Sequence, residues 1–112
     1  MQNTTTGSFN TCVGHSGMAN NAAGIYNVAV GYQALTTANA SFNTSIGSQS
    51  LYNCFSDNNT ACGYQSLLNL TTGQNNIGIG ANSGTGLITG NYNIYLGSVT
   101  SASSGAATNE VV

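Results

Sequence analysis

An Asn followed four residues later by a Gly occurs six times in this chain at a nearly constant spacing, and no other feature restricts the fold as much. The pairs are Asn10–Gly14, Asn27–Gly31, Asn43–Gly47, Asn59–Gly63, Asn76–Gly80 and Asn93–Gly97. Successive Asn residues stand 17, 16, 16, 17 and 17 apart, and a further step of 16 arrives at Asn109, the expected start of a seventh copy. A fixed period of this size is the mark of coils stacked one on the next, and it outranks residue-by-residue propensity.

The wording of each coil gives the next level. Three residues before the Asn stands Gly7, Gly24, Ala40, Ser56, Gly73 or Gly90, and immediately before it Phe9, Tyr26, Phe42, Asn58, Asn75 or Tyr92. Three residues after it comes Val13, Val30, Ile46, Cys62, Ile79 or Leu96; four after each Gly comes Met18, Leu35, Leu51 or Leu67, then Gly84 and Ser101. Segments such as Val28-Ala29-Val30 and Ile77-Gly78-Ile79 alternate with period two, which predicts a short strand after each Asn. Strands so short form only by pairing with copies of themselves. Gly, Asn and β-branched residues are too dense for helix. The expected fold is therefore all-β, a parallel β-roll or β-solenoid of six to seven coils occupying residues 1–112 as one domain. With layers about 4.8 Å apart it makes a rod roughly 30 Å long.

In such a stack like residues form vertical files. The Gly file predicts a corner with positive φ or close backbone approach. The Asn file predicts side chains bonded amide to amide up the rod. The Val/Ile/Leu file and the Met/Leu file are both expected to line the dry interior. The polar stretch between motifs, for example residues 36–41, is expected to absorb the one-residue variation in period. The last third, where Gly84 and Ser101 stand in the Leu file, is expected to be thinner and looser.

Composition removes several function classes. The 112 residues include no Lys, Arg, Pro or Trp, two acidic residues (Asp57 and Glu110) and one His, for a formal net charge of −2. Gly, Asn, Thr and Ser make up about half the chain, yet the aliphatic residues recur at fixed offsets, which argues against disorder. Without cations there is nothing to neutralise a phosphate backbone or to hold an anionic membrane surface, so nucleic-acid binding is not expected. No uninterrupted apolar run approaches membrane length, so membrane insertion is not expected either. The opening residues Met1–Thr6 lack the pattern of a secretory signal. Cys12, Cys54 and Cys62 fall at different places in the repeat with no CxxC spacing; they read as small apolar residues rather than as a zinc or redox motif.

Asn10-Thr11-Cys12-Val13-Gly14-His15-Ser16 and Asn27-Val28-Ala29-Val30-Gly31-Tyr32-Gln33-Ala34-Leu35 resemble the head repeats of YadA-like trimeric autotransporter adhesins. They are also similar to NTAVGYQAL-type arrays in phage and viral tail-fibre proteins. The likeness covers nearly the whole chain, although the period here is longer than in those heads. It implies a left-handed parallel roll, three chains side by side sharing apolar surface, and a module of a longer fibre.

No residue cluster suggests catalysis, a metal or a cofactor. His15 shares its slot with Tyr32, Ser48, Tyr64, Ala81 and Ser98, a tolerant position that reads as exposed. Ser16 beside it has no carboxylate to orient a base. Asp57 and Glu110 fall about three coils apart, too far to work as an acid–base pair. Five Asn-x-Ser/Thr sequons (Asn3, Asn39, Asn43, Asn58 and Asn69) are mostly what chance gives in such a composition. Tyr32 and Tyr64 with Gln33, Gln49 and Gln65 could form a polar-aromatic strip that contacts a glycan; a solvated strand face is the plainer reading.

The functional expectation is a non-enzymatic fibre or adhesin module, shaft or head, on a cell or virion surface outside the cell. Its partners are copies of itself, as a homotrimer or joined end to end in a filament, and a host glycan or receptor is the alternative. Ice binding is weaker, because Thr11, Thr44 and Thr60 alternate with Val28, Ile77 and Ile94 in one file.

Overall fold

A computed structural model of the chain describes residues 7–37 and 39–112; the segment 1–6 with its sequon Asn3, and residue 38, lie outside the described residues. Each Asn is followed by a three-residue strand: β1 (Thr11–Val13), β2 (Val28–Val30), β3 (Thr44–Ile46), β4 (Thr60–Cys62), β5 (Ile77–Ile79) and β6 (Ile94–Leu96). The six form one parallel sheet in chain order, copy over copy in register: Val28 pairs with Thr44, Thr44 with Thr60, and Thr60 with Ile77. A single further bridge joins Ile94 to Val111. The result is a β-solenoid 37 Å long and 20 × 16 Å across. No helix occurs among the described residues.

The corners are left-handed in backbone conformation. Phe9, Tyr26, Phe42, Asn58, Asn75 and Tyr92 have φ of 57–62°, and Met18, Leu35, Leu51 and Leu67 have φ of 46–50°. An L-residue there costs about 1–2 kcal/mol. What holds it is the layer above: the Leu35 N–H donates to the Ser50 carbonyl (3.0 Å) and the Leu51 N–H to that of Ser66 (3.0 Å). The Gly file meets both demands expected of it. Gly31 and Gly63 have φ of 132° and 137°, and a Cβ on either would lie 2.7 or 2.6 Å from the carbonyl carbon of the next glycine up.

The interior is one side chain thick. Met18, Leu35, Leu51 and Leu67 are fully buried, as expected, with Leu70 and Leu87 on a neighbouring wall. The Val/Ile/Leu file is where expectation and structure part. The middle residue of each strand points inward (Ala29, Ser45, Ala61, Gly78), while the file of Val13, Ile46, Ile79 and Leu96 points out and is exposed. Space decides the direction. A Cβ on Gly78 would lie 2.8 Å from Leu67 Cγ, so the corner leucines leave room behind the strand for small residues only.

The last third is thin, as expected, only at its end, where Ala107 alone among residues 97–112 is buried; the core at Gly84 is filled. Gly84 interrupts the Leu file, and Tyr95 fills the volume: it is fully buried, and a Cβ on Gly84 would be 2.8 Å from its ring. The variation in period is localised as expected. Cys54 and Leu70 both donate their N–H three residues back, to Leu51 and Leu67; the small residue that follows comes two residues on at Ser56 and three on at Gly73.

Candidate functional surfaces

The Asn file is a buried backbone clamp. Asn27, Asn43, Asn59, Asn76 and Asn93 are all buried, and Asn10 is half-buried. Each Oδ1 accepts the N–H of the next Asn: Asn43 N to Asn27 Oδ1 at 2.9 Å, Asn59 N to Asn43 Oδ1 at 2.9 Å, Asn76 N to Asn59 Oδ1 at 3.0 Å. Each Nδ2 donates to the carbonyl three residues before that next Asn: Asn10 to Gly24 (2.7 Å), Asn27 to Ala40 (2.7 Å), Asn43 to Ser56 (2.9 Å). The ladder expected to run amide to amide is thus mainly side chain to backbone. Direct amide-to-amide bonds occur from Asn76 to Asn59 (3.2 Å) and from Asn93 to Asn76 (2.9 Å). Only a side chain that both donates and accepts fits this place.

Asn109 is not the seventh rung. Its φ of 57° puts it at the aromatic corner, and Glu110 takes the ladder place, donating its N–H to Asn93 Oδ1 (2.8 Å). The Glu110 carboxylate accepts the Tyr95 hydroxyl (2.8 Å) and the Ser103 N–H (3.1 Å). These bonds, the tyrosine's first, hold its carboxyl below the ordinary carboxylate range. Burial, followed by the neighbouring carboxylate, pushes the Tyr95 phenol well above its ordinary value.

Three outward strips repeat the motif residues, apart from a further file in which Phe55 and Ile88 are exposed. The first is the apolar file: Val13 (58 % exposed), Ile46 (40 %), Ile79 (45 %) and Leu96 (55 %), with half-buried Val30 and Cys62 completing it along the whole rod. The second, at the corner before the Asn, is an aromatic stack with no expectation behind it. Phe9 and Tyr26 lie 4.9 Å apart at 7°, and Tyr26 and Phe42 5.5 Å apart at 12°. Phe-Asn and Tyr-Asn one period apart were the signal for it.

The third strip carries the residues expected to contact a glycan. Tyr32 and Tyr64 are half-exposed, with Ser48 in the layer between them. Alongside, Gln49 Nε2 donates to Gln33 Oε1 (3.1 Å) and Gln65 Nε2 to Gln49 Oε1 (2.9 Å). His15 is exposed, stacks on Tyr32 at 5.8 Å and 20°, and bonds through Nδ1 to Ser16 Oγ (2.8 Å).

The remaining polar residues have structural duties. Asp57 Oδ1 accepts the Ser41 N–H (2.7 Å). Asn39 Oδ1 accepts from Ala22 (2.8 Å), and Asn69 Nδ2 donates to Thr85 (2.8 Å). Asn43 is sealed in the ladder, whereas Asn58 is exposed at its corner. Cys12 and Cys54 face inward, and burial pushes the Cys54 thiol up; Cys62 belongs to the outward file. Among the described residues there is no cluster of metal-ligating side chains, no enclosed pocket and no helix long and apolar enough to cross a membrane.

Set against known protein families, characterised proteins and solved structures, the chain matches none of them.

Proposed function

We propose that this chain is a non-enzymatic structural module of an extracellular or virion-borne fibre, shaft or head, that associates laterally with copies of itself. The observation that carries the reading is the outward apolar file. Side chains of Val, Ile and Leu in five of the six strand layers, with Cys62 in the other, make a contiguous apolar strip, and strips of this kind mark surfaces that a partner covers. A second copy presents the same strip in the same repeat, and closed symmetric association satisfies all copies at once. The wording of the repeat, which resembles trimeric-adhesin heads, favours three chains. Axial hydrogen bonding gives such a fibre stiffness, and a chain without Lys or Arg offers trypsin-like proteases no cleavage point.

Light scattering tests it. The monomer mass is 11.3 kDa, and the solution mass is expected at about three times that value. Ile46→Asp with Ile79→Asp should return it to the monomer while the β-type circular dichroism spectrum persists. A wild-type chain that stays monomeric at millimolar concentration would remove the lateral assembly.

A further inference from the structure

We propose that the slot between Tyr32 and Tyr64, over Ser48, is a binding site for one neutral pyranose ring of a carbohydrate. The proposal goes beyond lateral assembly and does not rest on it, since the slot lies in a different file from the apolar strip.

The three residues stand in successive layers. The Gln49 N–H donates to the Tyr32 carbonyl (2.8 Å) and the Gln65 N–H to the Ser48 carbonyl (2.9 Å), so the tyrosines are two layers apart. Two steps of about 4.8 Å set the two residues roughly 9–10 Å apart along the rod. His15 stacks on one face of Tyr32 and leaves its other face without an aromatic partner among the described residues. No ring fills the space, because the layer between carries only a hydroxymethyl group.

The width selects the guest. Carbon–carbon contact takes roughly 3.5–4 Å on each side, so a flat aromatic ring between two planes needs about 7–8 Å and would rattle here. A puckered pyranose is thicker and meets both rings through its C–H faces. Its hydroxyls find donors and acceptors beside it. Among the described residues no hydrogen bond engages Ser48 Oγ, and the Gln33–Gln49–Gln65 ladder uses neither the Gln33 Nε2 nor the Gln65 Oε1. A few placed polar groups beside apolar ring faces are the usual makings of a sugar site. The chain has no Lys or Arg and a net charge of −2, so the preferred sugar is uncharged. The other break in an aromatic file, between Phe42 and Tyr92, spans three layers, about 14 Å, and one ring cannot touch both sides.

Saturation-transfer NMR on the purified chain tests the slot. The probes are methyl glycosides of glucose, galactose and N-acetylglucosamine, each at about 10 mM, with triproline as a non-sugar ring of similar thickness. Transfer to the ring C–H protons of at least one glycoside is expected, reduced at least about five-fold by Tyr32→Ala and by Ser48→Tyr. Ser48→Tyr adds an aromatic ring and fills the slot, so loss there cannot come from missing aromatic surface. Tyr26→Ala, in the closed stack, should change nothing. Transfer to no glycoside, transfer that survives Ser48→Tyr in a folded chain, or transfer to triproline alone overturns the proposal. Light scattering on the same samples reads the assembly separately: a monomer that shows transfer sinks only the lateral reading, and a trimer without transfer sinks only the slot.

Discussion

Between β3 and β4 the interior is closed by Leu51 and Leu67 against the small Ser45 and Ala61; between β5 and β6 it is closed by Tyr95 against Gly78 and Gly84. Both regions share the bond from each Asn N–H to the preceding Asn Oδ1, and the later layers add amide-to-amide bonds at Asn76 and Asn93. What differs is which element supplies the bulk. In the middle coils the corner residue is large and the strand residue small. At the last strand the assignment is reversed, and Leu67, one layer below in the same file as Gly84, still borders the space that Tyr95 fills. Volume is thus kept constant across adjacent layers, not within a file. Close packing demands that, because a void one methyl wide loses contacts that nothing else restores.

The glycine file offers the sharpest way to break this comparison. Gly63→Ala places a Cβ 2.6 Å from the next carbonyl carbon at φ 137°, whereas Gly97→Ala has φ 119° but nothing nearer than Thr100 Cγ2 at 3.6 Å. Urea unfolding should show a loss of about 4 kcal/mol or more for the first and about 1–2 kcal/mol for the second. Equal losses would mean that conformation alone, and not layer contact, sets the glycine requirement.

A smaller effect sharpens the volume argument. Tyr95→Ala should cost about 3–4 kcal/mol in the same assay. Adding Gly84→Leu to that variant restores the arrangement of the middle coils, at a corner whose φ of 65° lies near that of the other leucines. The second change should regain about 1–2 kcal/mol, although alone it destabilises; that sign reversal is the coupling expected of residues sharing one space. Simple additivity would show that the two do not share it.

The smallest effect concerns Glu110. Its folded carboxyl titrates below the ordinary range because Tyr95 and Ser103 donate to the carboxylate. Its contribution is therefore complete above the ordinary Glu value of about 4.3 and is lost as the pH falls through the lower folded value. Exchange of the Ser103 amide should accelerate over that acid window, with amides of β3 and β4 unchanged. Glu110→Gln should abolish the dependence.

Much of this was legible in the repeat. The file of Asn residues, the positive-φ glycines and the buried Met18, Leu35, Leu51 and Leu67 all stand where the spacing put them. The seventh rung was misplaced by one residue, since periods of 16 and 17 both occur and Asn109 answers to one while Glu110 answers to the other. The direction of the strand side chains was also misread. Alternation says that Val28 and Val30 share a face opposite Ala29; it does not say which face is inside. Of the outward strips, Tyr32 and Tyr64 were legible as a tolerant slot, but their placement two layers apart with Ser48 between them depended on the register.

The sequence by itself determined the stacking: a period of this length, with Asn and Gly held in place, leaves one parallel register in which every ladder amide finds its partners. Tertiary structure alone decided what lies inside and what faces out. That choice depends on the thickness left between the strand and the opposite corner, a distance set by side chains about five residues away and in the neighbouring layer. The corner leucines fill it, so small residues turn inward and the larger aliphatic ones are left on the surface.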